Sequence, residues 1–299
     1  MPPLFNETAA TLLDGKAVAS QLHDAIQQDI QSLLSGNTSE KNPAVPKLVV
    51  VLVGDNPASH VYVNKKAKTA KKLGMASEVL IYPESTPQEK LEAIIEALNT
   101  DASVHGILVQ LPLPKQINTD RVINTIAPEK DVDGLHPVNM GRLLSGDPSV
   151  CAPCTPSGII TLLKHYNIDI SGKHAVILGR SNIVGKPMGL LLLQENATVT
   201  VCHSKTQNLA EITQKADILV AAVGIPKIID ATMVKPDAVV IDVGINRTEN
   251  GLVGDVDFES VQSVAGFITP VPGGVGPMTI ATLMQNTLKL YKKAAAVCL

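Results

Sequence analysis

The 299-residue chain contains no tryptophan, three phenylalanines and four tyrosines, so aromatic residues make up only 2% of it. Its core must therefore be built from Val, Ile, Leu and Ala, the composition of parallel strands covered by helices. Cysteine is almost as scarce. Cys151, Cys154, Cys202 and Cys298 are too few and too scattered for a disulfide framework. No apolar run approaches the roughly 18 residues of a membrane span. The start, "MPPLFNETAATLLDGK", lacks the basic stretch and following apolar stretch of a secretory leader. Neither sign of charge dominates: Lys and Arg number 25, Asp and Glu 28, for a net charge of −3. Nothing in that balance draws the chain to nucleic acid or to an anionic membrane. A soluble cytoplasmic protein is the expectation.

What is present is regular. Hydrophobic residues reach 45% and charged residues only 18%, enough for a sizeable core and too apolar for a disordered chain. Short β-branched runs predict strands at 47–53, 77–82, 104–111, 174–179, 197–202, 217–223, 238–243 and 266–271. Helical patterns fall near 14–35, 57–73, 87–99, 119–126, 156–166, 186–195, 207–215 and 277–294. Strands alternating with helices predict α/β architecture with parallel sheets and right-handed crossovers. "GDPSVCAPCTPSG" (146–158) is rich in Pro, Gly and Ser and marks a boundary. Two domains are expected: 1–155 with 278–299, the last helix crossing back, and 156–277. The stretch 35–47 reads as a polar surface loop.

The second domain opens on "HAVILGRSNIVGKP" (174–187), a strand, a tight turn and a helix start. That arrangement cradles phosphate, because the first N–H groups of the helix have no partners within it. Gly179 and Gly185 suit the tight turn and the close helix approach, yet Ser181 and Asn182 stand where a middle glycine is usual. The following strand ends in Cys202-His203-Ser204-Lys205. A site for NAD would place Asp or Glu there to hold the ribose 2′-hydroxyl. In its absence, Ser204, Lys205 and the turn residue Arg180 suit a 2′-phosphate, and NADP is the preferred coenzyme. "VGIN" (243–246) ends a later strand, where the nicotinamide half of a dinucleotide should lie.

In the first domain, "NPASHVYVNKKAKTAKKLG" (56–74) starts a helix with Asn56 and Pro57. Val63, Ala67, Ala70 and Gly74 line one face. Tyr62 and Lys66, spaced i, i+4, sit one above the other on a neighbouring face, where a ring can stack on a flat substrate beside an amine. Lys65, Lys68, Lys71 and Lys72 read as a solvated face. Gln110 ends an apolar strand, and a buried amide there needs partners; its carbonyl could hold a lysine. Asp131 and Asp133 lie in the turn "KDVDG", without a third ligand nearby, so no metal is expected. Cys151-x-x-Cys154 has no second pair with which to build a zinc site.

"YVNKK", "VQLPLP", "KDVDG", "PCTP", "GRSNIVGKP", "CHSKT" and "PVPGGVGPMT" occur together and in order. In this the chain resembles the FolD family, the bifunctional methylenetetrahydrofolate dehydrogenase and methenyltetrahydrofolate cyclohydrolase, over nearly its whole length. The resemblance implies two α/β domains flanking a cleft, the second a Rossmann-type NADP domain, and a homodimer joined through that domain. By resemblance Lys66 is the catalytic lysine, Tyr62 the aromatic stacked on the folate, Gln110 the holder of Lys66 and Asp133 a pterin ligand. Pro272 and Gly273 would line the folate pocket, and Gly179, Arg180, Ser181, Ser204 and Ile245 would contact NADP. Three alternatives stay open on the residues: a dehydrogenase without cyclohydrolase, a nucleotide sensor of the same fold, and a shikimate- or amino-acid-type dehydrogenase. The sensor would have no use for Tyr62, Lys66, Gln110 and Asp133 as a set, and the last should lack the Tyr62/Lys66 pair.

Overall fold

The computed structural model describes residues 9–36, 45–249 and 251–297. The loop expected at 35–47 falls largely outside them. In chain order the elements are β1 (Thr11–Leu12), α1 (Gly15–Gly36), β2 (Lys47–Val53), α2 (Pro57–Lys72), β3 (Ala76–Tyr82), α3 (Gln88–Thr100), β4 (Gly106–Val109), α4 (Thr119–Thr125), α5 (Pro137–Leu144) and α6 (Cys154–His165). They continue with β5 (His174–Leu178), α7 (Gly185–Gln194), β6 (Thr198–Cys202), α8 (Leu209–Thr213), β7 (Ile218–Ala221), β8 (Val239–Asp242), β9 (Asn246–Thr248), β10 (Gly251–Val253), α9 (Phe258–Val261), β11 (Phe267–Ile268) and α10 (Val275–Val297). No helix among the described residues is long and apolar enough to cross a membrane.

The chain divides into two compact units. One joins Ser20–Cys154 to Ile280–Leu299; the other joins the segment ending at Ala19 to Thr155–Thr279. In the first, β3, β2 and β4 form a parallel sheet with β2 in the middle. Successive side chains of a strand point to opposite faces, and β2, Lys47–Val53, uses both. Leu48, Val50 and Leu52 pack with Val63, Ala70, Ile26, Ile30 and the α10 residues Leu283, Met284 and Leu288. Val49, Val51 and Val53 pack with Leu91, Ile95, Val122 and Ile126 of α3 and α4. A strand buried on both faces reads as a continuous apolar run, as this one does. Each fully buried aliphatic side chain contributes ~1.5–3 kcal/mol.

In the other unit, β1, β11, β8, β7, β5 and β6 form a parallel sheet in that order. The chain goes from β5 outward to β6, then returns past β5 to β7. The order therefore reverses between β5 and β7, and a doubly wound sheet binds its ligand at the carboxyl ends of the strands at such a reversal. The N-terminal strand β1, placed with the first domain in the sequence reading, pairs here with β11, Thr11 opposite Phe267 and Leu12 opposite Ile268. The strand expected at 266–271 is shorter, Phe267–Ile268, because Pro270 and Pro272 have no N–H to continue a ladder. Helix α5, not foreseen, starts at Pro137 behind His136, whose side chain accepts from Val138 N.

Candidate functional site

Helix α2 is capped as its sequence predicts: the Asn56 side chain accepts from Ala58 N and Ser59 N, and Pro57 occupies the first turn. Such a cap contributes about 1 kcal/mol. It sets the helix phase that buries Ser59, Val63 and Ala70 and leaves Tyr62 and Lys66 half-buried on the adjoining face. Gln110 follows β4, and its backbone N–H still pairs with β2, donating to Val51 O. Its side chain meets α2 across 44 residues of sequence. Lys66 Nζ donates to Gln110 Oε1 at 2.9 Å, and Gln110 Nε2 donates to Leu111 O at 2.7 Å. The amide is thereby oriented with its oxygen toward the amine.

Burial lowers the pKa of Lys66 below the usual lysine value; the charge of Asp133 opposes that shift. An amine with reduced proton affinity and one fixed acceptor is better suited than an ordinary lysine to take up and return a proton. Asp133 lies in the loop after Asp131. The buried Asp131 carboxylate knots that loop, accepting from Gly134 N, Leu135 N, His136 N and Asn139 Nδ2 at 3.0, 3.3, 2.8 and 2.9 Å. Asp131 thus braces the loop that carries Asp133. Among the described residues no group of three His, Cys, Asp or Glu is disposed to hold a metal ion.

The sequence reading missed Cys154 as a neighbour of this cluster. Its thiol donates to Val132 O at 3.3 Å and receives Asn286 Nδ2 at 3.6 Å. Burial, with the Asp133 charge behind it, pushes this thiol well above its ordinary pKa, and burial pushes Cys151 up to about 11. Both are therefore protonated, unreactive thiols. The "PCTP" motif carried the signal, because its cysteine opens α6, but only packing against α10 reveals the contact.

The other unit carries the nucleotide turn. Gly179 ends β5 with φ at +126°, and a Cβ there would collide with Ala222 O at the end of β7. A Cβ on Gly185 would collide with Gly179 O. The two glycines therefore let the turn close over the point where the sheet order reverses. Ser181 Oγ accepts from Val184 N and Gly185 N at 3.1 and 3.3 Å, shaping the entry to α7. Gly179 N donates to Cys202 O at 2.9 Å, so the turn bearing Arg180 and the turn bearing Ser204 and Lys205 leave the sheet side by side. All four of Arg180, Ser181, Ser204 and Lys205 are exposed. Within that second turn His203 N donates to Thr206 Oγ1 and Lys205 N to His203 Nδ1, and no carboxylate ends β6. This donor set fits a 2′-phosphorylated dinucleotide. Ile245 follows β8 and is exposed.

Residues 13–133 match the family model for the tetrahydrofolate dehydrogenase/cyclohydrolase catalytic domain, and residues 153–295 match the model for the NAD(P)-binding domain of the same enzymes. The chain belongs to the tetrahydrofolate dehydrogenase/cyclohydrolase family. It is 54% identical over 283 residues to the Bifunctional protein FolD of Exiguobacterium sibiricum, covering 95% of this chain and all of the relative. The crystal structure of the FolD dehydrogenase/cyclohydrolase of Campylobacter jejuni superposes with a TM-score of 0.91 at 50% identity, over 95% of this chain and 99% of that one. The Trypanosoma brucei FolD structure, complexed with NADP cofactor and inhibitor, superposes with a TM-score of 0.90 at 37% identity, over 96% and 99%. In this family member Tyr62, Lys66, Gln110 and Asp133 lie in the unit matching the catalytic domain. Gly179, Arg180, Ser181, Ser204 and Ile245 lie in the nucleotide unit, as do Pro272 and Gly273 in the turn before α10.

Proposed function

We propose that Lys66 is the proton-transferring group of a bifunctional folate enzyme. The chain oxidises 5,10-methylenetetrahydrofolate to 5,10-methenyltetrahydrofolate with NADP, then hydrolyses the product to 10-formyltetrahydrofolate. The observation that carries the role of Lys66 is its 2.9 Å hydrogen bond to Gln110 in a setting that lowers its pKa.

Tyr62 stacks on the pterin, and Asp133 accepts from its N–H groups. NADP, when bound, supplies the hydride acceptor. Gly179, Arg180, Ser181, Ser204 and Ile245 hold it, Arg180 and Ser204 at the 2′-phosphate, with Lys205 beside them. Hydride loss from the one-carbon bridge requires alignment and no acid. It leaves a cationic methenyl carbon, to which water adds. Lys66 in its neutral form takes a proton from that water. The ammonium then returns a proton to the ring nitrogen as its bond to the carbon breaks. The remaining O–H proton of the adduct leaves to solvent as the formyl C=O forms, so hydrolysis releases one proton overall and Lys66, having taken and returned one, ends the cycle neutral.

Replacing Lys66 with Met is expected to lower the cyclohydrolase rate by about 10²–10⁴, the usual weight of a positioned acid/base, and the dehydrogenase rate much less. An unchanged cyclohydrolase rate sinks the assignment.

The same reading makes the protein a homodimer joined through the nucleotide unit. In support, β6 is an edge strand of its sheet, with Val201 on it and Leu193 before it 41% and 59% exposed. Cytoplasmic residence is part of the reading, supported by the free, buried thiols of Cys151, Cys154 and Cys202.

A further inference from the structure

At the carboxyl ends of β7 and β8 lie two buried carboxylates that the chemistry above does not use. Asp242, 3% exposed, ends β8. Its Oδ1 accepts from Gly244 N and Asp255 N, both at 2.9 Å, and its Oδ2 from Val256 N at 3.0 Å. Asp255 is fully buried. Its Oδ2 accepts from Val223 N and Gly224 N at 2.7 and 2.9 Å, and its Oδ1 from Asn246 Nδ2 at 2.9 Å. These six donors are all amide N–H groups. The backbone is fitted to the carboxylates, since a Cβ on Gly244 would collide with the Asp255 side chain and one on Gly254 with the Asp242 side chain. Burying them is costly: desolvation pushes the Asp242 carboxyl up to about 6 in spite of its N–H partners.

The groups tied together are not arbitrary. Val223 and Gly224 follow β7, next to Ala222, whose carbonyl the nucleotide turn abuts at Gly179. Gly244 and Asn246 flank Ile245. We infer that Asp242 and Asp255 are positioning residues for the dehydrogenase reaction, locking the 222–224 and 243–246 loops in the shape that receives the coenzyme. The inference rests on the reading of Ile245 as a coenzyme contact. Asp255 ties both loops directly, through Val223, Gly224 and Asn246, while Asp242 holds Gly244 and fixes the backbone at Asp255 and Val256.

Asp255→Asn keeps the volume, but its NH₂ must face either the fixed backbone donors Val223 N and Gly224 N or the Asn246 side chain, whose amide must then turn over; either way one loop loses its present hold. Leaving a buried donor unpaired loosens the loops that receive the coenzyme, so KM for NADP in the full-length dehydrogenase is expected to rise roughly tenfold or more. Cyclohydrolase, assayed on methenyltetrahydrofolate without coenzyme, should stay within about twofold of the parent. Asn246→Ala removes one half-buried donor and should raise the same KM by a smaller factor. An unchanged KM for NADP in Asp255→Asn, or an equal fractional loss of both activities, overturns the inference. If Asp255→Asn does not fold, Asn246→Ala decides in the same two ways. Ile245→Ala separates this idea from the reading beneath it: an unchanged KM for NADP there removes the contact, and with it the 243–246 half of the inference, whatever the carboxylates do.

Discussion

Lys66 shows how much of a residue's chemistry is set by what surrounds it. Its i, i+4 spacing from Tyr62 is visible in the sequence, and so is an amide at Gln110 in need of a partner. The two effects that set its proton affinity are not visible there. Burial disfavours the ammonium, and the Asp133 charge favours it. Removing that charge in Asp133→Asn should therefore lower the Lys66 pKa further, which an NMR titration of Nζ would follow without relying on turnover. A titration midpoint that stays put or rises would take Asp133 out of the proton-transfer set. Asp131 illustrates the reverse limit. Paired with Asp133 in "KDVDG" it looks like half of a metal site, yet its acceptors are filled by the N–H groups of its own loop and by Asn139. Those donors come from backbone geometry, which residue types do not reveal.

At the scale of elements, the strand–turn–helix of β5 and α7 was legible because its requirement is local and steric. Gly179 holds φ at +126° beside a carbonyl that forbids a Cβ, and glycine alone tolerates both. Gly179→Ala is expected to cost about 1–3 kcal/mol of stability, a fall of a few degrees in Tm, and to weaken NADP binding measured by fluorescence titration. A variant that keeps both the parent Tm and the parent affinity would show that the turn has another shape. The major strands and helices were legible for a related reason, since apolar periodicity survives in any single segment. Helix α5 was not. Only Asn139 and Leu143 are buried in it, so it carries no stripe to detect, although His136-Pro137 marks its start. The short strand β1 and the β9–β10 hairpin escaped likewise, being too brief to show a period.

At the scale of the whole molecule, an exposed edge strand is a template for pairing unless something covers it. β6, with Val201 exposed on it and Leu193 exposed at the end of α7, is where the proposed dimer would close. The parent protein should have twice the 31.5 kDa chain mass by light scattering, and a Val201→Lys/Leu193→Glu variant should shift to the single-chain mass. A dimer that survives both changes would place its interface elsewhere. The sequence alone determined the α/β class, the parallel sheets, the nucleotide turn, the want of an acid after β6 and the Tyr62/Lys66 face, because each follows from neighbours along the chain. Tertiary structure alone decided that Gln110 meets Lys66, that Cys154 backs Asp133, that β1 joins the sheet of the other unit, and that Asp242 and Asp255 knot three strand ends. Those are contacts between remote segments. Their strength comes from removing water around both partners at once, and only the folded chain does that.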